Sequence, residues 1–402
     1  MFVFMRDNKI INRPLIKKAL WLFAIIFLVL FVFVIFVFSK NEKILHQRSS
    51  LKDTLDLTFT TLNPFPKKEK IKSIYLVAGG DIMLSRNIGR LGKSEGYDRI
   101  FGPGKYNPVN DFENCNYDDC VLLFNLESLF YTPDNDVKEA GFTFRANTGN
   151  IKTLQQLKDN KDLILSLTNN HTINGGFKGI NMTKELLDAN GIYHVGAGLD
   201  LEESRKIGVL TKNDIKVCYQ AYSYDGQYVK VGEGKISWNK IDEKNILEDL
   251  QSMKFLDCDV KIIILHWGAE YYIKPNTSQR NLAKTLIQGG ADLILGGHSH
   301  VPGVFTKIDD KFVFYSFGNF IFDQNWGKST KIGNADYIYD YNLKRHTVPT
   351  YISLLGGFKI IKNSSGVVIK LDKIVMSEVE NGLHSPLDKE TYQGIYDRIE
   401  EL

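Results

Sequence analysis

Cysteine is scarce in this 402-residue chain: Cys115, Cys120, Cys218 and Cys258 are the only four, and none has the paired C-x-x-C spacing of a zinc site. That excludes a disulfide-built miniature fold, and the four read as buried thiols. Cys115 and Cys120 flank Asn-Tyr-Asp-Asp and are near enough in sequence to bridge in an oxidising compartment. No basic cluster dominates either. The 50 Lys and Arg against 47 Asp and Glu leave a formal charge of +3, spread along the chain, which offers no footprint for nucleic acid. Internal repeats and low-complexity tracts are absent, and histidine is rare, with eight in all.

One long apolar run is present. Ala19 to Phe38 is uncharged and mostly Leu, Ile, Val and Phe. At about 1.5 Å per residue it covers roughly the 30 Å bilayer core, which predicts a transmembrane helix. It runs into Ser39-Lys40-Asn41-Glu42 without an Ala-x-Ala-like site, so an uncleaved anchor is expected rather than a signal peptide. A short basic N-terminus (1–18) before one span and a long downstream domain is the layout of a signal anchor, which puts the domain outside the cytoplasm. Residues 39–70 are polar, contain Asn63-Pro64-Phe65-Pro66, and read as a linker.

From Ile71 onward short apolar runs alternate with amphipathic ones. Strands are predicted at 74–78, 121–124, 163–167, 217–221, 260–265, 293–295 and 312–317, with a late strand at 366–371. Helices are predicted near 148–158, 176–190, 241–256 and 277–289. This alternation implies an α/β layered domain over 71–375, followed by a helical tail at 376–402. The segment from Gly327 to Thr350 reads as a long loop, either a lid over a site or a disordered excursion.

Four of the eight histidines, His171, His266, His298 and His300, come directly after predicted buried strands. In α/β sheets ligands bind beyond the carboxyl ends of the strands, where loops converge. The same ends carry Gly79-Gly80-Asp81, Asn125-Leu126-Glu127, Asn169-Asn170-His171, His266-Trp267-Gly268-Ala269-Glu270 and Gly296-Gly297-His298-Ser299-His300. Carboxylate, amide and imidazole donors together suit a borderline divalent ion such as zinc, manganese or iron. Such ions hold a phosphoryl oxygen and activate water. His171, beside Asn170, has the position either of an acid toward a leaving group or of a hydrogen-bond donor to a phosphoryl oxygen.

As an ordered set these stretches, with Gly80-Asp81-Ile82-Met83-Leu84, Asn169-Asn170-His171-Thr172, Gly196-Ala197-Gly198, His298-Ser299-His300-Val301 and Tyr315-Ser316-Phe317-Gly318-Asn319-Phe320, resemble the poly-gamma-glutamate capsule biosynthesis family of CapA-like or PgsA-like proteins. That family is similar to the calcineurin-type metallophosphatases. The resemblance implies a four-layered α/β/β/α metallophosphatase-like sandwich behind one N-terminal transmembrane helix, with Asp81, Glu127, Asn170, His266, His298 and His300 as metal positions and His171 as the catalytic histidine. On charge and polarity Arg86, Asn125, Arg145, Glu270 and Arg280 are candidates to hold an anionic substrate. Three departures stand out. The phosphatases open with Asp-x-His where this chain has Asp81-Ile82-Met83, their Gly-Asp second motif is here Asn125-Leu126-Glu127, and Asn174 stands where the capsule family commonly has Asp.

The function this implies is synthesis, export or anchoring of an anionic capsule polymer, poly-gamma-glutamate, by metal-assisted hydrolysis or transfer. The expected partners are the membrane, the polymer and capsule synthase subunits. Two other readings keep the fold: a non-catalytic scaffold of a polymer synthase, and an envelope metallophosphoesterase.

Overall fold

A computed structural model describes residues 71–115, 118–131, 143–224, 237–324 and 350–401, together with the backbone of 338–340 and 345–347. The expected anchor at 19–38 and linker at 39–70 lie outside the described residues. Among the described residues no helix is long and apolar enough to cross a membrane. The described residues from 71 onward belong to one compact unit.

The chain begins with β1 (Lys72–Ile82), α1 (Arg86–Glu95), β2 (Cys120–Leu126), α2 (Ile151–Lys158), β3 (Asp162–Ser166), α3 (Gly176–Ala189) and β4 (Tyr193–Val195). There follow a short α4 (Leu201–Ser204), β5 (Gly208–Lys212), β6 (Ile215–Ser223), α5 (Glu243–Phe255), β7 (Val260–His266), α6 (Thr277–Gln288) and β8 (Leu293–Gly297). The remainder is β9 (Phe305–Ile308), β10 (Lys311–Phe314), β11 (Asn319–Ile321), β12 (Ile352–Asn363), β13 (Gly366–Glu380), β14 (Leu383–Pro386), α7 (Lys389–Ile399) and β15 (Glu400–Glu401).

One sheet runs β14-β13-β12-β1-β2-β3-β4, with β11 also paired to β1; the other runs β15-β9-β10-β8-β7-β6-β5. Strands β1 to β4 are mutually parallel, as are β6, β7, β8 and β10. Parallel strands are covered on both faces, which is why β1, β2 and β7 read as continuous apolar runs rather than alternating ones. Ile74, Leu76, Ala78, Val121, Leu123 and Ile164 of the first sheet share one apolar cluster with Ala221, Ile262, Leu293 and Leu295 of the second, and with Ile246, Leu250, Ala283 and Leu286 of α5 and α6. The alternate residues of the first sheet, Tyr75, Val77, Leu122, Phe124, Leu163 and Leu165, pack instead with Ile88, Leu154, Leu157 and Leu187 of α1, α2 and α3. The layer order is therefore helices, sheet, sheet, helices.

Four expectations change. The domain does not end at 375: β13 continues to Glu380, β14 extends the first sheet and β15 joins the second, so 376–401 is part of the body and only Lys389–Ile399 of it is helical. The run predicted as one strand at 312–317 is cut at Phe314. Tyr315–Gly318 crosses to the first sheet, where Asn319 aligns with Asp81. The predicted loop at 327–350 contains an antiparallel pair, Ile338–Asp340 with Arg345–Thr347. Finally, the cysteines are not thiols. Cys115 bridges Cys120 and Cys218 bridges Cys258, with Cα atoms 4.8 and 5.8 Å apart, inside disulfide reach. The second pair is separated by 40 residues and brought together by β6 and the end of α5, which no local spacing announces.

Candidate metal centre

The carboxyl ends of β1, β2, β3, β7 and β8 converge, and their loops place Asp81, Glu127, Asn170, His171, His266, His298 and His300 together, all buried. Close backbone approach makes this possible. A β-carbon at Gly80 would collide with the carbonyl of Gly318, and one at Gly297 would lie 2.9 Å from Asp81 Oδ1. His298 and His300 adopt left-handed backbone (φ 91° and 58°), strain of the kind that persists where surrounding structure over-determines it.

Asp81, Glu127 and His300 each offer a ligand atom within 4.8 Å of the others. His266 Nε2 lies 3.8 Å from Glu127 Oε1, 2.9 Å from Asn170 Oδ1 and 3.1 Å from His298 Nδ1. Two of these imidazoles are also held from behind. His298 Nε2 meets the Tyr224 hydroxyl at 2.8 Å and His300 Nδ1 meets Asn319 Oδ1 at 2.9 Å. An amide oxygen only accepts, so His300 Nδ1 carries the hydrogen and its Nε2 is left bare.

His171 is fixed in the same way. Asn174 Oδ1 accepts from the main-chain N–H of Phe144 at 2.8 Å, which identifies that atom as the oxygen, and it sits 2.8 Å from His171 Nδ1. The ring stacks on Phe144 with centroids 3.8 Å apart, and its Nε2 faces Glu127 Oε1 at 3.8 Å. The substitution of Asn for Asp at 174 therefore keeps the hydrogen bond that orients His171 and removes only its charge.

The electrostatics are those of an incomplete site. Neither carboxylate oxygen of Glu127 has a hydrogen-bond partner, although the residue is wholly buried. Burial, then the charges of Asp81 and Glu270, push its carboxyl well above the usual range, with Arg86 opposing. Burial raises Asp81 to about 6 against hydrogen bonds from Asn125 and the His298 N–H. Burial, then the neighbouring imidazoles, holds His266 and His298 well below the ordinary histidine value, and burial brings His300 to about 4. A buried carboxyl whose oxygens have no hydrogen-bond partner and whose ionisation is disfavoured by burial, set among imidazoles kept neutral, is a donor set that a divalent cation would complete.

The remaining candidates divide. Asn125 donates to Asp81 Oδ1 at 2.8 Å, so it braces a ligand. Glu270 is close enough to raise Glu127 and Tyr224. Arg86 lies over the rings of Phe144 and Phe322 but is paired with Asp323. Arg145 donates through Nε to the Asn174 carbonyl at 2.7 Å. Arg280 is not brought to the cluster: it pairs with Glu401 of β15 at 3.0 Å. The Met83 sulfur accepts from the N–H and hydroxyl of Ser85 at 3.2 and 3.1 Å. Tyr224, Asn319 and Asp323 were missed. Asn319 lies in the Tyr315–Phe320 stretch and was within reach of the motif reading; Tyr224 had no sequence signal.

Residues 75–324 match the family described as bacterial capsule synthesis protein PGA_cap. The chain is 26% identical over 276 residues to the capsule biosynthesis protein CapA of Bacillus anthracis, a match covering 67% of this chain and 65% of that protein. It is 27% identical over 273 residues to the PGA biosynthesis protein CapA of Bacillus subtilis, covering 66% and 67%. Among solved structures, the calcineurin-like phosphoesterase YfkN from Bacillus subtilis superposes with a TM-score of 0.40 at 14% identity, covering 81% of this chain and 96% of that one. With its match extending over more than half its length, from β1 through β11, the chain belongs to the bacterial capsule synthesis protein family PGA_cap.

Proposed function

We propose that this is a CapA-like protein of capsule biosynthesis that acts on an anionic polymer, poly-gamma-glutamate, at a divalent-metal centre outside the cytoplasm. The observation that carries the metal centre is Glu127: a wholly buried carboxyl with two unpartnered oxygens, facing the imidazoles of His171, His266 and His300. The relatives' names, CapA and PGA biosynthesis, support the polymer. Two disulfides support an oxidising compartment, and hence a domain beyond the membrane behind the anchor expected at 19–38.

Asp81, Glu127, Asn170, His266, His298 and His300 would hold the metal. A bound divalent cation supplies polarisation of a substrate oxygen and a lowered pKa for water. The chain's own contribution is at His171, whose Nδ1–H is spent on Asn174 and whose Nε2 lone pair faces the centre. That nitrogen accepts a proton from an attacking group and returns it to a leaving one. A scaffold without catalysis is favoured by one observation, the Met83 sulfur turned to Ser85 where the phosphatases have an imidazole.

Elemental analysis of the purified chain, with His266→Ala and His298→Ala beside it, tests the centre. Cleavage of poly-gamma-glutamate and of a generic phosphodiester tests the chemistry. Stoichiometric metal lost in both variants, with polymer cleavage, is the expected result. Absence of metal from the unmodified chain removes both enzymatic readings, metal without turnover of either substrate favours the scaffold, and phosphodiester turnover alone favours an envelope phosphoesterase.

A further inference from the structure

The described arginines differ in what neutralises them. Arg86 faces Asp323, Arg99 faces Glu95, Arg205 faces Asp249 and Arg280 faces Glu401. Arg145, in the short strand Arg145–Ala146, pairs with no carboxylate among the described residues. Its Nε donates to the main-chain carbonyl of Asn174, and its guanidinium lies over the Tyr131 ring, 5.1 Å from the centroid. Both of these partners are uncharged, so among the described residues the positive charge is held in place without being cancelled.

The anchor is what gives this consequence. Asn174 grips Arg145 through its main-chain oxygen and His171 through its side-chain oxygen. The guanidinium and the imidazole thus hang from one residue, and any group bound to the guanidinium is in a set relation to His171. Arg145 is half-buried, which removes part of its hydration. With Nε spent, the two terminal nitrogens remain as a planar fork, the geometry that takes a carboxylate in two parallel hydrogen bonds. Arg86 lacks this capacity because Asp323 already occupies its fork.

We propose that Arg145 is a carboxylate receptor beside the metal centre, and that it holds the pendant carboxylate of a polymer carrying one per residue, so that a neighbouring link of the chain lies at His171. This rests on the poly-gamma-glutamate reading above and specifies how that substrate is gripped.

The test is calorimetric titration of the full-length chain with a short γ-linked oligoglutamate, and separately with inorganic phosphate, for the unmodified protein, Arg145→Gln, Arg145→Lys and the exposed control Lys254→Gln. Loss of a charge-assisted bidentate contact is expected to weaken oligoglutamate binding about tenfold to a hundredfold in Arg145→Gln. Arg145→Lys is expected to recover only part of that loss, because a point charge does not reproduce the fork. Lys254→Gln and the metal content of all variants are expected to be unchanged. Oligoglutamate bound equally by the unmodified chain and by both Arg145 variants overturns the receptor and leaves the polymer reading standing. An unmodified chain that binds phosphate and no oligoglutamate overturns both. If Arg145→Gln does not fold, Arg145→Lys decides, and affinity equal to the unmodified protein's overturns the fork.

Discussion

Glu127→Gln is expected to have opposite effects on the metal-free and the metal-loaded protein. Both Glu127 oxygens are buried without partners, and Asp81 and Glu270 add repulsion to the cost of burial. A buried group of this kind costs on the order of 2–3 kcal/mol, whether as an unpaired charge or as the proton it must take up to avoid one. Above the ordinary carboxylate range, with metal chelated, the neutral amide should therefore stabilise the fold by about that amount, a rise of about 4–6 °C at roughly 2 °C per kcal/mol for a domain of this size. The amide is a weaker ligand, so the stabilisation by added metal, about 2.7 kcal/mol at a hundred times Kd for an intact site, should shrink or vanish. Calorimetric unfolding in chelator and in stepped manganese or zinc reads both arms. A variant less stable than its parent in chelator, with an undiminished response to metal, refutes the assignment of Glu127 as a carboxylate awaiting a cation.

The imidazole of His300 sits at about 4 in the folded chain against about 6.5 unfolded. Its contribution to stability is therefore present above pH ~6.5 and is lost as pH falls toward 4, on the order of 3 kcal/mol. Asp81, raised to about 6, acts in the opposite sense as pH falls over that range. Urea unfolding of the chelated protein across this range should be flatter for His300→Gln, and an unchanged slope sinks the assignment. Tyr224→Phe removes the group behind His298 Nε2 and should lower metal affinity about 10–100-fold with no change in the metal-free melting curve; competition with a chromogenic chelator measures it, and unaltered affinity denies Tyr224 that role. Replacing Cys218 and Cys258 by serine opens a 40-residue loop and should cost roughly 3–4 kcal/mol, seen as a lower urea midpoint that reductant no longer shifts; equal midpoints argue against the bridge.

Much of the architecture was legible because strands buried on both faces have to be apolar throughout. The runs around Ile74, Val121, Leu163, Val217, Val260 and Leu293 each became a strand of one of the two sheets. The long β12–β13 hairpin was largely missed. Its tip is half exposed, and Lys and Asp interrupt the apolar pattern of β13. Of the site, the residues on strand ends were readable from their motifs, whereas Arg280, attractive on charge alone, serves Glu401.

By itself the sequence determined the strand and helix segments and the donor types at the loop beginnings, because apolar periodicity and residue chemistry are local properties. The tertiary structure decided what those donors face. The His298 N–H reaches Asp81 across 217 positions, and Arg86 meets Asp323 across 237. No local pattern encodes such pairings. They decide that Glu127 is left without a hydrogen-bond partner, that His171 presents Nε2, and that of the candidate arginines Arg145 alone has no carboxylate partner among the described residues. Proton position and net charge at a site depend on neighbours in space, which the fold supplies from distant segments.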